Sequence, residues 1–212
     1  MRQTIYITFT SCWQLGSGFG DGYKSDSTML RDEERLLRLS GRTLKGALRE
    51  GANRLSRCRE DLAKAEKIIF GTNVSEDANN KSGLIRVSAG LLNAGLRQAL
   101  LQNKGGEDIL EDLLEDLLCK RKQTALDAEK QIKKGSLRTI ECGIPGVQFE
   151  ATVSIENSNI DEKWIYQYLK AVCAAVKSMG SNRSRGLGSC VVSLKDDTSK
   201  AELPPVLVIE EN

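Results

Sequence analysis

The sequence contains no histidine. Histidine is the side chain whose ordinary pKa suits proton transfer near neutrality, so its absence excludes Ser-His-Asp and Cys-His nucleophilic sites and two-histidine ribonuclease mechanisms. Any catalysis must rest on carboxylates, lysine, tyrosine or a metal. No CxxC pair occurs among the widely spaced Cys12, Cys58, Cys119, Cys142, Cys173 and Cys190. With no histidine to complete a mixed zinc site, these cysteines read as reduced, mostly buried apolar residues. No apolar run approaches the ~20 residues of a membrane span, and the N-terminal MRQTIYITFT turns polar too soon for a signal peptide, so the expectation is a cytoplasmic protein without a membrane partner. There is no internal repeat and no low-complexity segment. Nor is there a large charge excess: the 31 Lys and Arg against 29 Asp and Glu leave a net charge of +2, so a nucleic-acid surface requires local segregation of basic residues.

What is present fits one domain carrying an insertion, since 212 residues lie within the ~250 that a single core accommodates. Residues Gln3 to Ser11 alternate in the period-two pattern of a half-buried strand, ended by glycines at 16, 18, 20 and 22. From Thr43, Leu44, Leu48, Ala52 and Leu55 recur at helical spacing behind Ser40 as a possible N-cap, with Gly46 and Gly51 weakening the helix. A helix over 60–69, a polar loop from Phe70, a short strand over 84–88 and a helical stretch over 91–119 follow. Within the last, LEDLLEDLL presents an apolar stripe for packing on the domain or on a partner. Strands over 137–142 and 147–155 flank the turn around Pro145, a second amphipathic helix spans 161–179, and a core strand spans 188–194.

With the middle set aside, the order strand, helix, strand, strand, helix, strand predicts an α+β, ferredoxin-like βαββαβ domain. Its core is expected over 1–57 and 135–212, with a large, partly helical insertion over 58–134.

Two segments have the composition of an anion site. Arg42, Lys45 and Arg49, at i, i+3 and i+7, share one helix face that begins in the first turn, where free N–H groups favour an anion. A solvated charged face fits that stripe equally well. The second segment, Gly180-Ser-Asn-Arg-Ser-Arg-Gly-Leu-Gly188, places Arg183 and Arg185 between glycines, Gly186 and Gly188 among them. Glycines allow close backbone approach, and arginine binds phosphate through paired N–H groups. Neither glycine cluster is a nucleotide fingerprint: GSGFGD puts Asp21 where GxGxxG needs its last glycine, and no GK[ST] follows.

RTLKGALR at 42–49 behind SDSTMLRD at 25–32, TALDAEKQIKKGSLRTIECGIPGVQFEATV at 124–153, and GSNRSRGLGSCVV at 180–192 resemble, in order, signature segments of the RAMP superfamily, in particular the backbone subunits of type III CRISPR effector complexes. Ser40-Gly41 stands where the family usually has proline-glycine, and Thr28 replaces a frequent proline. The resemblance implies an RNA-recognition-motif-like domain that lines up with other subunits along a guide RNA. Lys45, Arg49 and the arginine-glycine loop would hold guide phosphates, and a thumb-like hairpin near 124–135 would wedge between bases. It also implies that the paired target RNA is cut with the help of an aspartate in the loop before the basic helix, and Asp26 is the matching position. Asp26 is preferred to Asp21 and Asp32 on that ground alone. Cutting would rest on Asp26 and a divalent cation, Mg²⁺, with Asp26 as its ligand, because RNA supplies its own 2′-hydroxyl nucleophile. Three other roles are open: a non-catalytic scaffold of the same assembly, a nuclease processing precursor guide RNA, against which the lack of histidine argues, and a protein-docking domain using LEDLLEDLL.

Overall fold

A computed structural model describes residues 1–16, 27–72, 82–102, 106–125, 127–133, 135–156, 160–195, 197 and 199–207. The main sheet is antiparallel. Its central strand β1 (Arg2–Phe9) lies between β7 (Gln148–Ile155) and the edge strand β8 (Cys190–Leu194). The other side of β7 pairs with two short strands, β3 (Ile85–Val87) and β4 (Gly90–Leu92), and β4 in turn pairs with β2 (Arg38–Leu39). Strand alternation sends Ile5, Ile7 and Phe9 of β1 inward beside Phe149, Ala151 and Val153 of β7.

Helices α1 (Gly41–Ser56) and α5 (Glu162–Ala175) pack on this sheet and on each other. Both start where their caps dictate. Ser40 accepts a hydrogen bond from the Thr43 amide, and the Asp161 carboxylate accepts one from the Trp164 amide at 3.0 Å. Helix α2 (Glu60–Phe70) lies against α1 and buries Leu62, Ala65 and Ile69. The expected helix over 161–179 ends at Val176, which turns extended so that Met179 can donate to Gly188 O at 2.9 Å and Lys177 O can accept from Cys190 N at 3.0 Å.

The middle of the chain departs from the expected pairing. The strand over 137–142 does not lie beside β7. As β6 (Arg138–Gly143) it pairs with β5 (Leu118–Gln123) in a separate two-stranded ribbon, and β3 and β4, from within 58–134, occupy the position next to β7. The helical stretch over 91–119 is divided into β4, α3 (Ala94–Leu101), α4 (Gly106–Glu115) and the start of β5. Leu117 and Leu118 extend the apolar stripe past the end of α4, so helical spacing continues where the backbone has already become a strand. The ribbon is joined to the main sheet at Trp13, fully buried and stacked on Phe9 at 4.4 Å; its backbone exchanges hydrogen bonds of 3.0 and 2.8 Å with Gly143, and its indole donates to Ile144 O at 3.1 Å.

All six cysteines are free; Cys142, Cys173 and Cys190 are buried, and burial pushes their thiols up, Cys142 and Cys190 to about 11. No helix among the described residues is long and apolar enough to cross a membrane.

The two glycines of α1 have opposite surroundings. A Cβ on Gly51 would lie 2.7 Å from Val172 O of α5, whereas one on Gly46 would meet nothing within 4 Å. Gly51→Ala is therefore expected to destabilise the protein by about 1–3 kcal/mol through helix displacement, and Gly46→Ala to stabilise it by about 0.5–1 kcal/mol. Urea unfolding of the two variants measures both signs.

Candidate nucleic-acid interface

Helix α1 divides its polar residues between two faces about a third of a turn apart at ~100° per residue. One face, with Thr43, Gly46 and Glu50, forms a wall of a groove of about 470 Å³, and Gly180, Ser181 and Arg183 stand across from it. The Arg42, Lys45 and Arg49 stripe lies on the other face. Arg42 is exposed, and its side chain makes no ion pair or hydrogen bond among the described residues. The half-buried Lys45 donates to Ile85 O at 3.2 Å. Its ammonium is held below the usual lysine range by desolvation and by the cations of Arg86 and Arg49. Arg49 turns inward to donate to Glu66 of α2 at 3.0 Å and to Gly71 O. The stripe is thus one basic group at the surface, one half-buried, and one that ties α1 to α2.

The arginine-glycine loop is built from unusual backbone. Asn182 has φ 56° and ψ 29°, and a single 3-10 turn over Arg183–Arg185 follows, closed by Arg185 N donating to Asn182 O at 2.9 Å. Gly186 and Gly188 both have φ 78°, which an L side chain rarely adopts. At Gly188 a Cβ would also strike Met179 O. The turn leaves both arginines exposed. Arg183 donates to Glu50 at 2.6 Å, and this hydrogen bond, above all, holds the Glu50 carboxyl below its ordinary range. Glu50 also accepts from Arg54 at 2.8 Å.

Arg185 points elsewhere. Leu187, two residues on, packs with Ile140 and Cys142 of β6 in a small apolar cluster that Cys12 and Cys119 adjoin. Arg185 consequently stands beside the ribbon, in a second groove of about 370 Å³ with Lys133, Arg138, Gln123 and Ser136, and among the described residues no carboxylate lines it. On β5, Lys120, Arg121 and Lys122 are all exposed. These ribbon cations, with Lys133 and Arg138, were missed by the sequence reading. Three consecutive basic residues at 120–122 were the available signal.

Asp26 and Asp21 lie outside the described residues. Ser27, next to Asp26, is held on the ribbon: its carbonyl accepts from Glu141 N at 3.0 Å, and two residues on Met29 N donates to the Glu141 carboxylate at 2.9 Å. Asp32 has a structural task. One of its oxygens accepts from the amides of Glu34 and Leu36, both at 3.0 Å, and the other from Arg97 at 2.7 Å. No group of three or more His, Cys, Asp or Glu side chains among the described residues is placed to hold a metal ion.

The RAMP superfamily model matches residues 6–191. The chain belongs to the RAMP superfamily. Comparison with curated proteins finds no match. Among solved structures, this RAMP protein is similar to a chain of the type III-B Cmr-beta complex bound to cognate target RNA, with 12% identity, a TM-score of 0.68, and 92% of this chain and 97% of that one covered. The apo state of Cmr-beta gives 12% identity and the same TM-score over 93% and 98% of the two chains. A chain of a type IV-B CRISPR complex gives 15% identity and 0.61 over 97% and 95%. At these identities the likeness is one of fold.

Arg49→Ala would leave Glu66, 8% exposed, without its cation. Loss of one partner from a buried pair is expected to cost about 1–3 kcal/mol, whereas Arg42→Ala should change stability by no more than about 0.5 kcal/mol. Denaturant titration of both variants checks the division of the stripe.

Proposed function

We propose that this RAMP protein is a guide-RNA-binding backbone subunit of a type III CRISPR effector complex, and that Asp26 promotes cutting of target RNA paired to the guide. The observation that carries the binding half is the groove between the arginine-glycine loop and the ribbon, where Lys133, Arg138 and Arg185 converge and are, among the described residues, the charged ones that line it. In a chain of net charge +2 this is the local segregation that a polyanion surface requires. Arginine forks suit phosphate, and likeness to a complex bound to cognate target RNA supports RNA as the polyanion.

The strand order β8-β1-β7, continued by β3 and β4 and backed by α1 and α5, supports a ferredoxin-like core. On this reading the ribbon with its 124–135 end is the hairpin that wedges between bases, Arg42 and Arg183 extend the phosphate surface, Lys45 supplies nearby positive potential, and the exposed Gly186 lets the RNA backbone approach, while the buried Gly188, packed against Met179, shapes the loop. Arg49 contributes by holding α1 to α2.

For the cutting half, support comes from the family position of Asp26 and from Ser27 being fixed on β6, the strand whose Arg138 lines the cationic groove. Cutting is proposed to need a divalent cation such as Mg²⁺, which would draw its ligands from Asp26 and from oxygens of the RNA itself.

The purified chain should bind single-stranded RNA with an affinity that falls steeply with salt, each phosphate contact contributing about −0.7 to the slope of log affinity against log salt. Arg185→Ala should remove roughly one such contact and weaken binding about fivefold at low salt. A salt-independent affinity, or none, contradicts the binding reading. In the assembled complex, Asp26→Ala should abolish target cutting, as EDTA should, and leave guide binding within about twofold. Undiminished cutting by the variant would instead favour a scaffold role.

A further inference from the structure

Gln14 and Glu66 are the buried polar residues among those described. Glu66 is accounted for by Arg49. Gln14 is 5% exposed and spends its polar groups on two loops that are distant in sequence. Its Nε2 donates to Ser27 Oγ at 3.2 Å, and its Oε1 accepts from Asn182 Nδ2 at 3.0 Å. Its main-chain carbonyl also accepts from Ser181 N at 2.9 Å. A buried amide satisfied from two sides in this way resists displacement of either partner alone, because the group left behind would be desolvated and unpaired.

Both partners occupy controlling positions. Asn182 carries the left-handed backbone that opens the Arg183–Arg185 turn, and its own carbonyl receives the Arg185 and Leu187 amides at 2.9 and 3.4 Å. Ser27 is the first described residue after Asp26, pinned to the ribbon through the Glu141 amide. We infer that Gln14 is a positioning residue that transmits seating of RNA phosphate on the arginine-glycine loop to the segment that begins at Ser27. The inference rests on the RNA-binding reading above. It adds that the two loops respond as one unit, through the chain Asn182, Gln14, Ser27.

The test is hydrogen–deuterium exchange of the full chain with and without a short single-stranded RNA oligonucleotide, read on peptides spanning 27–31 and 178–188. In the wild type RNA should slow exchange in both. In Gln14→Leu it should slow only 178–188. Two milder variants break the relay at its ends without altering the buried position. Ser27→Ala removes the hydroxyl, and Asn182→Gly removes the amide while tolerating φ 56°. Each should likewise uncouple 27–31, retaining at least half of the wild-type protection at 178–188. Protection of 27–31 that persists in all three variants overturns the relay, as does wild-type protection confined to 178–188. Wild-type chain showing no RNA-induced change in either peptide overturns the RNA-binding reading itself, and the relay with it.

Discussion

The arrangement depends on the joint at Trp13. A buried indole that stacks on Phe9, meets Phe149 edge-on at 5.2 Å and shares two backbone hydrogen bonds with Gly143 fastens the end of β1 to the end of β6. Truncating such a side chain in a core typically costs about 3–5 kcal/mol. A Cβ on Gly143 would overlap the indole ring, so the ribbon is held at contact distance from the main sheet. Immediately beyond this joint the chain supplies Gln14, whose hydrogen bonds reach the arginine-glycine loop at Ser181 and Asn182 and the ribbon-bound Ser27.

Charge is sorted around that joint. The groove facing α1 contains a carboxylate, Glu50, which already occupies Arg183, whereas the charged residues that line the groove facing the ribbon are, among the described residues, all cations. An anion entering the first must compete with Glu50; one entering the second meets Lys133, Arg138 and Arg185 and, among the described residues, no such competitor. Arg183 and Arg185, two residues apart on one 3-10 turn, therefore differ in availability because one faces the helix and the other the ribbon.

Much of the fold was legible from local signals. Period-two alternation located β1, the turn around Pro145 marked the start of β7, Ser40 marked where α1 begins and amphipathic spacing located α5, because turns, caps and one-sided burial are decided within a few residues. The partner of β7 was not legible. The strands that pair with it, β3 and β4, have three residues each, too short for a pattern, and the selection between them and β6 is made by contacts far apart in sequence. The α4 stripe misled for a different reason: Leu117 and Leu118 remain half-buried after the helix has ended, so burial continues while the backbone period changes. At the site, the spacing of Arg42, Lys45 and Arg49 correctly gives one face, but which part of that face meets solvent is set by Glu66 on a neighbouring helix. Gln14 carried no signal at all, since a single glutamine becomes informative only once Ser27 and Asn182 are seen on either side of it.

The central claim is that RNA lies along the arginine-glycine loop and the basic ribbon. Photo-crosslinking of the chain to a single-stranded RNA carrying 4-thiouridine, followed by mass-spectrometric mapping of the modified peptides, tests it most directly. Crosslinks within 178–188 and 118–138 are predicted. Crosslinks concentrated instead on α2, on α5 or on the 203–207 segment that packs against them would contradict the account.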